Sequence, residues 1–319
     1  MDPLAQSDTY DTFTTNDTYD TVIVGGGPAG LTAALALTRY RCRTLVLESP
    51  TPPRNAASRG VHGMIGLEGA TPAEVRARAW AELDGYGLAR RREVAAHDIT
   101  RAGAGGFHVA LDDGTTAWAR TVLLATGVID VHPVGVEGFA ECWGRTVIHC
   151  PFCVGWENAD RTWALVADDP DHAATAAGAF DAWSADVIAI TPPGMDRAAE
   201  TRRALRAAGS DLVEGEIARL HHRDGDLHAV ELADGTLIGR RTLLWSLPQQ
   251  QVPLVTRLTS TLGLALDGDG SVAVGPGGRT GVPGLYAAGD LTTRWDQGAM
   301  SAAGAGAAAA DAIHFAHSH

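Results

Sequence analysis

The stretch YDTVIVGGGPAGLTAALALTRYRCRTLVLES, residues 19–49, decides the fold class. Thr21–Val24 is short, β-branched and ends in glycines, which predicts a buried strand. Gly25, Gly27 and Gly30 follow with G-x-G-x-x-G spacing. Gly25 permits a tight turn, Gly27 lets a pyrophosphate approach the backbone, and Gly30 lets helix pack on strand. The pattern predicts a helix from about Pro28 to Arg39; Pro28 opens it, and the first free N–H groups, from Ala29 on, hold phosphate at the positive end. A second strand, 43–47, ends at Glu48, the place of a carboxylate that binds a ribose diol. A glycine turn alone is common in α/β folds. Strand, glycines, helix, strand and acid in one unit specify a dinucleotide site.

Length and composition set the outer bounds. The 319 residues allow two domains or one large one. No run of 18 apolar residues appears, so no membrane span is expected. A net charge of −13 argues against nucleic acid and anionic membranes as partners. Every one of the 25 basic residues is arginine, which excludes Schiff-base lysine chemistry. Four cysteines in such a chain do not make a disulfide scaffold. The polar, acidic start reads as a flexible tail over 1–17 without the features of an export signal, so the expected location is cytoplasmic.

Two distant segments extend the first motif. RTVLLATG, 120–127, predicts a buried strand ending in Ala-Thr126-Gly127. TGVPGLYAAGDLTTRWDQGAMSAAGAGAAAADAI, 280–313, predicts a strand over 284–288, then Gly289-Asp290 and an alanine-rich helix. With these three segments in this order, the chain resembles the two-domain flavoprotein disulfide reductases, and most of all the low-molecular-weight thioredoxin reductases. The resemblance covers nearly everything after the tail. It implies an α/β fold of two Rossmann-like domains: a discontinuous FAD domain, 18–129 plus 246–319, and a middle domain, 130–245. It also implies a homodimer. By resemblance Asp290 binds the flavin ribityl chain, and Gln297, Gly298 and Ala299 start the helix that faces the flavin ring. Arg54, Asn55, Thr126 and Gly127 are carried over as further cofactor contacts.

RTVIHCPFCVGWE, 145–157, carries a C-x-x-C at Cys150 and Cys153. Such a pair can be a metal clip, a staple or a redox centre. Zinc needs four ligands. Cys42 and Cys142 form no second pair, and His149 is too close along the chain to chelate readily with Cys150. No metal is therefore expected. A disulfide closing so small a loop stabilises little. In the family the redox pair lies shortly after Ala-Thr-Gly, as here. The resemblance makes Cys153 the flavin-side sulfur and Cys150 the one that exchanges with substrate.

The middle domain lacks what the family uses to bind NADPH. After RTWALVA, 161–167, comes DDPDHAATAAGAF, with no G-x-G-x-x-G. Asp168, Asp169 and Asp171 stand where a pyrophosphate would lie. PPGMDRAAETRR, 192–203, replaces the compact basic element, leaving Arg197, Arg202 and Arg203 displaced along a helix. Without nicotinamide, electrons must enter from a thiol. That pattern is similar to the subgroup of dithiol oxidases that close disulfides in gliotoxin, holomycin and romidepsin. Cys-Pro-Phe-Cys and the segment PPRNAASRGVHGMIGLEGATPAEV, 52–75, also resemble that subgroup. The expected reaction is oxidation of a small-molecule dithiol, with O2 as acceptor and H2O2 as product. An NADPH-dependent thioredoxin reductase and a non-catalytic flavoprotein redox sensor are the rival readings.

True thioredoxin reductases place an aspartate after the second cysteine. Here that residue is Val154, which cannot move a proton. His149 is the candidate replacement, since imidazole titrates near neutrality. Asp296, at the start of the flavin-facing helix, is expected to orient it, and helix capping is its other possible role. His62 is a second candidate base. Trp143, Phe152, Trp156 and Trp295 flank the site in sequence and fit an apolar pocket, the core or a dimer contact. The last run, HFAHSH, is expected to be a solvated tail.

Overall fold

A computed structural model describes residues 18–318 apart from 104, 176, 177 and 179. The expected tail over 1–17 lies outside the described residues. The chain forms two compact units. One holds the chain up to residue 52, 78–127 and 251 onward, and the other holds 53–77 and 128–250.

In the first unit β1 (Thr18–Val24) leads through Gly25–Gly27 into α1 (Pro28–Arg39) and then β2 (Thr44–Glu48). Val22, Ile23, Leu45 and Val46 are buried. Their near-continuous apolar run suits a parallel strand covered on both faces. After α2 (Pro72–Asp84), the chain forms β3 (Ala89–Glu93), β4 (Ala96–Arg101), β5 (Phe107–Leu111) and β6 (Thr116–Leu124). The order is β3-β2-β1-β6-β5-β4. The start of β6 pairs antiparallel with β5, and its end is left for a later strand.

The second unit opens at β7 (Ile129–Asp130) and α3 (Phe139–Cys142), followed by β8 (Val147–Ile148) and α4 (Pro151–Val154). Then come β9 (Trp163–Val166), α5 (Pro170–Ala174), β10 (Val187–Thr191), α6 (Ala198–Ala207) and β11 (Asp211–Glu214). β12 (Ile217–Arg223), β13 (Asp226–Leu232) and β14 (Leu237–Ile238) make an antiparallel sheet, and β15 (Thr242–Trp245) returns to the parallel one. The parallel order is β11-β10-β9-β15-β8. Finally β16 (Gln249–Gln250) pairs antiparallel with β7.

The chain re-enters the first unit with α7 (Pro253–Thr261), β17 (Leu285–Ala287) and α8 (Ala299–His317). β17 takes the free end of β6, matching Leu285–Ala287 to Val122–Leu124 in parallel. α8 packs on α1 through small residues: Ala302, Ala309 and Ala310 lie in one buried cluster with Ala29, Ala33 and Leu37. A Cβ on Gly306 would strike the Ala29 carbonyl, so the helices approach closely only because that side chain is missing. Burying Leu37 and Ile313 contributes about 1.5–3 kcal/mol each.

Three expectations are revised. The segment 53–77 belongs to the second unit rather than the first. There Val61 bridges Ala70, and Ala57 lies against Gly144. HAVELADGTLIGRRTLLWSLP, 228–248, reads in sequence as a hairpin and a strand returning to the FAD domain, but that strand stays in the second unit. As β15 it sits between β9 and β8, because Leu243 and Leu244 are apolar enough to be buried on both faces. His314 and His317 of the last run are not in a solvated tail, and His319 lies outside the described residues. The His314 ring meets Tyr40 at a tilt, 4.9 Å between centroids, and His317 Nε2 lies 3.2 Å from Thr121 Oγ1.

Candidate redox site

The dinucleotide turn of the first unit can be tested for fit. Gly25 has φ +115°, and a Cβ there would strike the Ala125 carbonyl. A Cβ on Gly30 would strike the Gly25 carbonyl, whereas one on Gly27 would meet only open space. No side chain caps α1. Its first N–H groups therefore face the gap over Gly27, a cradle that fits a phosphate. Glu48 ends β2 beside this turn. Its Oε1 accepts from Trp80 Nε1 at 3.2 Å, and its Oε2 pairs with Arg91 at 3.1 Å. Each carboxylate oxygen keeps a lone pair for a ribose hydroxyl.

Thr126 and Gly127 follow β6, and Gly289 and Asp290 follow β17, on the neighbouring strand. Gln297 donates from Nε2 to the Thr293 carbonyl at 2.8 Å. Gly298 starts α8 and no side chain caps that helix. Asp296 does not cap the backbone; its Oδ1 accepts the Ser301 hydroxyl at 2.8 Å. The residues present fit a dinucleotide such as FAD. Arg54 and Asn55, expected with this group, fall in the second unit.

In the second unit β8 delivers His149 and Cys150 directly to α4. Cys150 is extended (φ −144°, ψ 117°) and occupies the helix N-cap, and Pro151 fixes the first helical residue. One turn then brings the Cys153 thiol back on Cys150, with Sγ donating to Sγ at 2.7 Å. Neither cysteine is in a disulfide, and both are half-buried. The Cys153 thiol and the backbone N–H groups of Phe152 and Cys153 stabilise a Cys150 thiolate, with help from Arg54. Together they hold its pKa down to about 7 against the cost of burial. Cys150 is therefore substantially ionised at neutral pH, the state that exchanges disulfides. Cys42 and Cys142 are buried, and burial pushes both thiols up, Cys142 to about 11.

Burial holds the His149 ring down to about 4, aided by the Arg54 charge and opposed by Asp130. The imidazole is neutral at pH 7 and can accept a proton. Transfer from an ordinary thiol nevertheless runs uphill by roughly 6 kcal/mol. A carboxylate partner would shrink that gap, which is the part expected of Asp296. Arg54 is itself fixed: Nε and Nη2 reach Asp130 Oδ2 and Oδ1 at 2.9 and 2.8 Å, and Gln249 Nε2 adds a donor to Oδ1 at 3.0 Å.

His62 is placed differently. Its Nδ1 lies 2.7 Å from Glu68 and 3.3 Å from Glu157, at the edge of a cavity of about 60 Å³ that Val154 also lines. That volume holds a few waters, not a dithiol substrate. Trp143 is core, stacked on Phe139 at 5.5 Å. Phe152 and Trp156 are 85% and 83% exposed and flank the sulfur pair on α4 and the next turn, and Trp295 is exposed in the first unit.

The sequence reading missed the supports of α4. Asn158, 2% exposed, donates to the Val154 and Arg145 carbonyls at 3.0 and 3.3 Å and accepts from Thr242 Oγ1 at 3.2 Å. Trp183 fills the space a Cβ on Gly155 would need and meets Phe152 edge-on at 5.5 Å. No local pattern announces either residue. The first turn after β9 is closed by its own chain: Asp169 Oδ1 accepts the N–H groups of Asp171 and His172, both at 2.9 Å. Arg197 pairs with Asp171 at 3.1 Å and Arg202 with Glu214 at 2.7 Å.

A dithiol poised as thiolate, beside a neutral histidine and on a chain with a dinucleotide turn, defines an oxidoreductase. Residues 19–166 match the family described as pyridine nucleotide-disulphide oxidoreductase. The thioredoxin reductase tcpT of Claviceps purpurea is 32% identical over 289 residues, covering 86% of this chain and 87% of its own. The structure of HlmI aligns with a TM-score of 0.82 at 32% identity, over 95% of this chain and 93% of that one. An oxidoreductase from Agrobacterium tumefaciens aligns at 0.83 with 28% identity, over 94% and 99%. The chain belongs to the pyridine nucleotide-disulphide oxidoreductases and is thioredoxin reductase-like. Among the described residues no helix is long and apolar enough to cross a membrane.

Proposed function

We propose that the protein is an FAD-dependent oxidase that closes a disulfide in a small-molecule dithiol, with O2 as final acceptor and H2O2 as product. The observation that carries this direction is Asp169. Its carboxylate occupies the helix N-terminus that a nicotinamide dinucleotide would use, and carboxylate repels phosphate. The arginines nearby are spent on Asp171 and Glu214. A reductase needs that site. A dithiol oxidase does not.

His149 accepts a proton from one substrate thiol. The thiolate attacks Cys150 of the Cys150–Cys153 disulfide and releases Cys153. The second substrate thiol attacks the substrate sulfur of the mixed disulfide, closes the product ring and releases Cys150. The low proton affinity of Cys150 suits a leaving group in that last exchange. Bound FAD would supply the route by which the electron pair leaves Cys153 for O2. Gly25, Gly27, Pro28, Ala29 and Gly30 would hold its pyrophosphate and Glu48 its ribose. Thr126, Gly127, Gly289, Asp290, Gln297, Gly298 and Ala299 would hold the rest. Asp296 is assigned the part of the acid that supports His149. The sum is two thiols and O2 converted to one disulfide and H2O2. We assign a homodimer in the cytoplasm as the working form.

The second reading, an NADPH-dependent thioredoxin reductase, is favoured by the name of the Claviceps relative. One experiment separates the two. Purified flavin-loaded protein is mixed anaerobically with NADPH, or with dithiothreitol, and flavin absorbance near 450 nm is followed. Bleaching by dithiol alone, reversed by air with peroxide release, is the expected result. Rapid bleaching by NADPH overturns the oxidase.

A further inference from the structure

Three neighbours fix where the Glu48 carboxylate lies. Trp80 of α2 donates from Nε1 to Oε1 at 3.2 Å, and Arg91 of β3 pairs through Nη2 with Oε2 at 3.1 Å. These two partners also hold each other, since the Arg91 guanidinium lies over the Trp80 ring, 5.7 Å from its centroid. The third neighbour is Gly26, inside the dinucleotide turn. The three atoms nearest to a Cβ placed there all belong to Glu48, with Oε1 the first of them. Gly26 does not have a positive φ, unlike Gly25, so its backbone conformation is open to alanine. The missing side chain therefore makes room for the carboxylate. Glu48 is mostly covered, its side chain 11% exposed, and Trp80 is buried. A glutamate free to rotate loses rotamer entropy when it grips a ligand. One already fixed by its neighbours has lost that entropy on folding.

We propose that Trp80, Arg91 and Gly26 are positioning residues for FAD: they hold Glu48 in one orientation in advance, so that its carboxylate receives the adenosine ribose hydroxyls without first being ordered. The inference rests on the reading of this turn as the FAD site. The arrangement leaves the carboxylate able to do so. Trp80 and Arg91 each take one oxygen, and a second lone pair on each stays available to a diol. The Arg91 charge offsets the cost of covering the carboxylate, and the indole N–H gains the partner that a buried tryptophan needs. The same contacts also serve the fold, because they tie α2 and β3 to the end of β2. The two roles differ in one respect. A contact that serves only the fold acts on FAD whether or not Glu48 is present, whereas a positioning contact acts on FAD only through Glu48.

The test reads flavin release rather than turnover. Full-length holoprotein is diluted into flavin-free buffer and filtered at timed intervals, and the flavin still bound is measured by its absorbance near 450 nm. Trp80→Phe keeps a ring and removes the N–H, Arg91→Gln removes the charge, and Gly26→Ala puts a methyl where Oε1 lies. Each is expected to speed FAD release, Trp80→Phe and Arg91→Gln by about fivefold and Gly26→Ala by about tenfold or more. Each substitution is then repeated in a Glu48→Ala background, where release is already fast and no carboxylate remains to be held. There the same three changes are expected to alter the rate by less than about twofold. Equal effects in the two backgrounds overturn the proposal, since the residues then act through the fold alone. Release that stays native with Glu48 present overturns it as well. If Gly26→Ala does not fold, Trp80→Phe, which differs from native chiefly by one donor, carries the comparison. A native protein that takes up no FAD overturns the reading of the turn itself.

Discussion

Asp169 and His172 are joined end to end: the Asp169 carboxylate accepts the His172 N–H at 2.9 Å, closing the first turn of α5 on itself. The hydrogen bonds from His172 and Asp171 hold the Asp169 carboxyl below the usual carboxylate range. Asp169→Ala is expected to cost about 1 kcal/mol, the worth of an N-cap. It should leave dithiol oxidation unchanged and create no NADPH-dependent flavin reduction, since Arg197 and Arg202 stay paired. Thermal unfolding and stopped-flow absorbance check both parts.

The two cysteines are expected to fail in different ways. Cys150→Ser removes the sulfur that substrate attacks, so no adduct forms and flavin stays oxidised under dithiol. Cys153→Ser leaves Cys150 able to exchange but unable to pass electrons on. Given oxidised glutathione, its Cys150 thiolate should displace one glutathione thiolate and keep the other half as a mixed disulfide, seen as a mass increase lost on reduction. An adduct on Cys153 in the Cys150→Ser protein would invert the assigned order.

His149 links stability to pH. Its folded pKa, about 4, lies below the unfolded value near 6.5. The unfolded chain therefore binds the extra proton between those values. The neutral ring contributes its full stability above about pH 6.5 and loses it as pH falls toward 4, a change of about 3 kcal/mol. His149→Gln should flatten that part of the Tm profile and also suppress dithiol-driven flavin reduction at neutral pH. A Tm profile between pH 7 and pH 4.5 as steep as native in the variant would assign the acid loss to other groups.

Asn158 ties the end of α4 to the sheet. Asn158→Ala strands the Thr242 hydroxyl and two carbonyls in a buried place, with an expected cost of about 2–3 kcal/mol. Asn158→Asp should cost more, because it turns a donor into an acceptor facing two carbonyls. Denaturant unfolding gives the stability change. Cys150 alkylation rates report whether α4 loosens with it.

What could be read along the chain was local. The turn at Gly25–Gly30, α1 over Pro28–Arg39, and the paired signals after β6 and β17 each rest on residues within a few positions, where glycine sterics and apolar runs act directly. The C-x-x-C was equally plain, since one helical turn is enough to bring its sulfurs together. The place of β15 was not legible because an apolar strand does not say which sheet it joins, and the side taken by 53–77, which has no strand, depends on contacts such as Ala57 on Gly144 that lie far apart in sequence.

The sequence by itself determined the nucleotide turn, the sulfur pair and the carboxylates that close the second turn. Only the tertiary structure decided the electrical setting of that pair. Arg54 and Asp130 stand 76 residues apart, and Asn158 meets Thr242 across 84. A thiol's proton affinity depends on burial and on charges brought near by folding, neither of which is a property of the neighbouring letters. Burial also made His149 neutral and Trp143 core while leaving Phe152 open to solvent, a sorting that follows from which faces the packed sheets happen to cover.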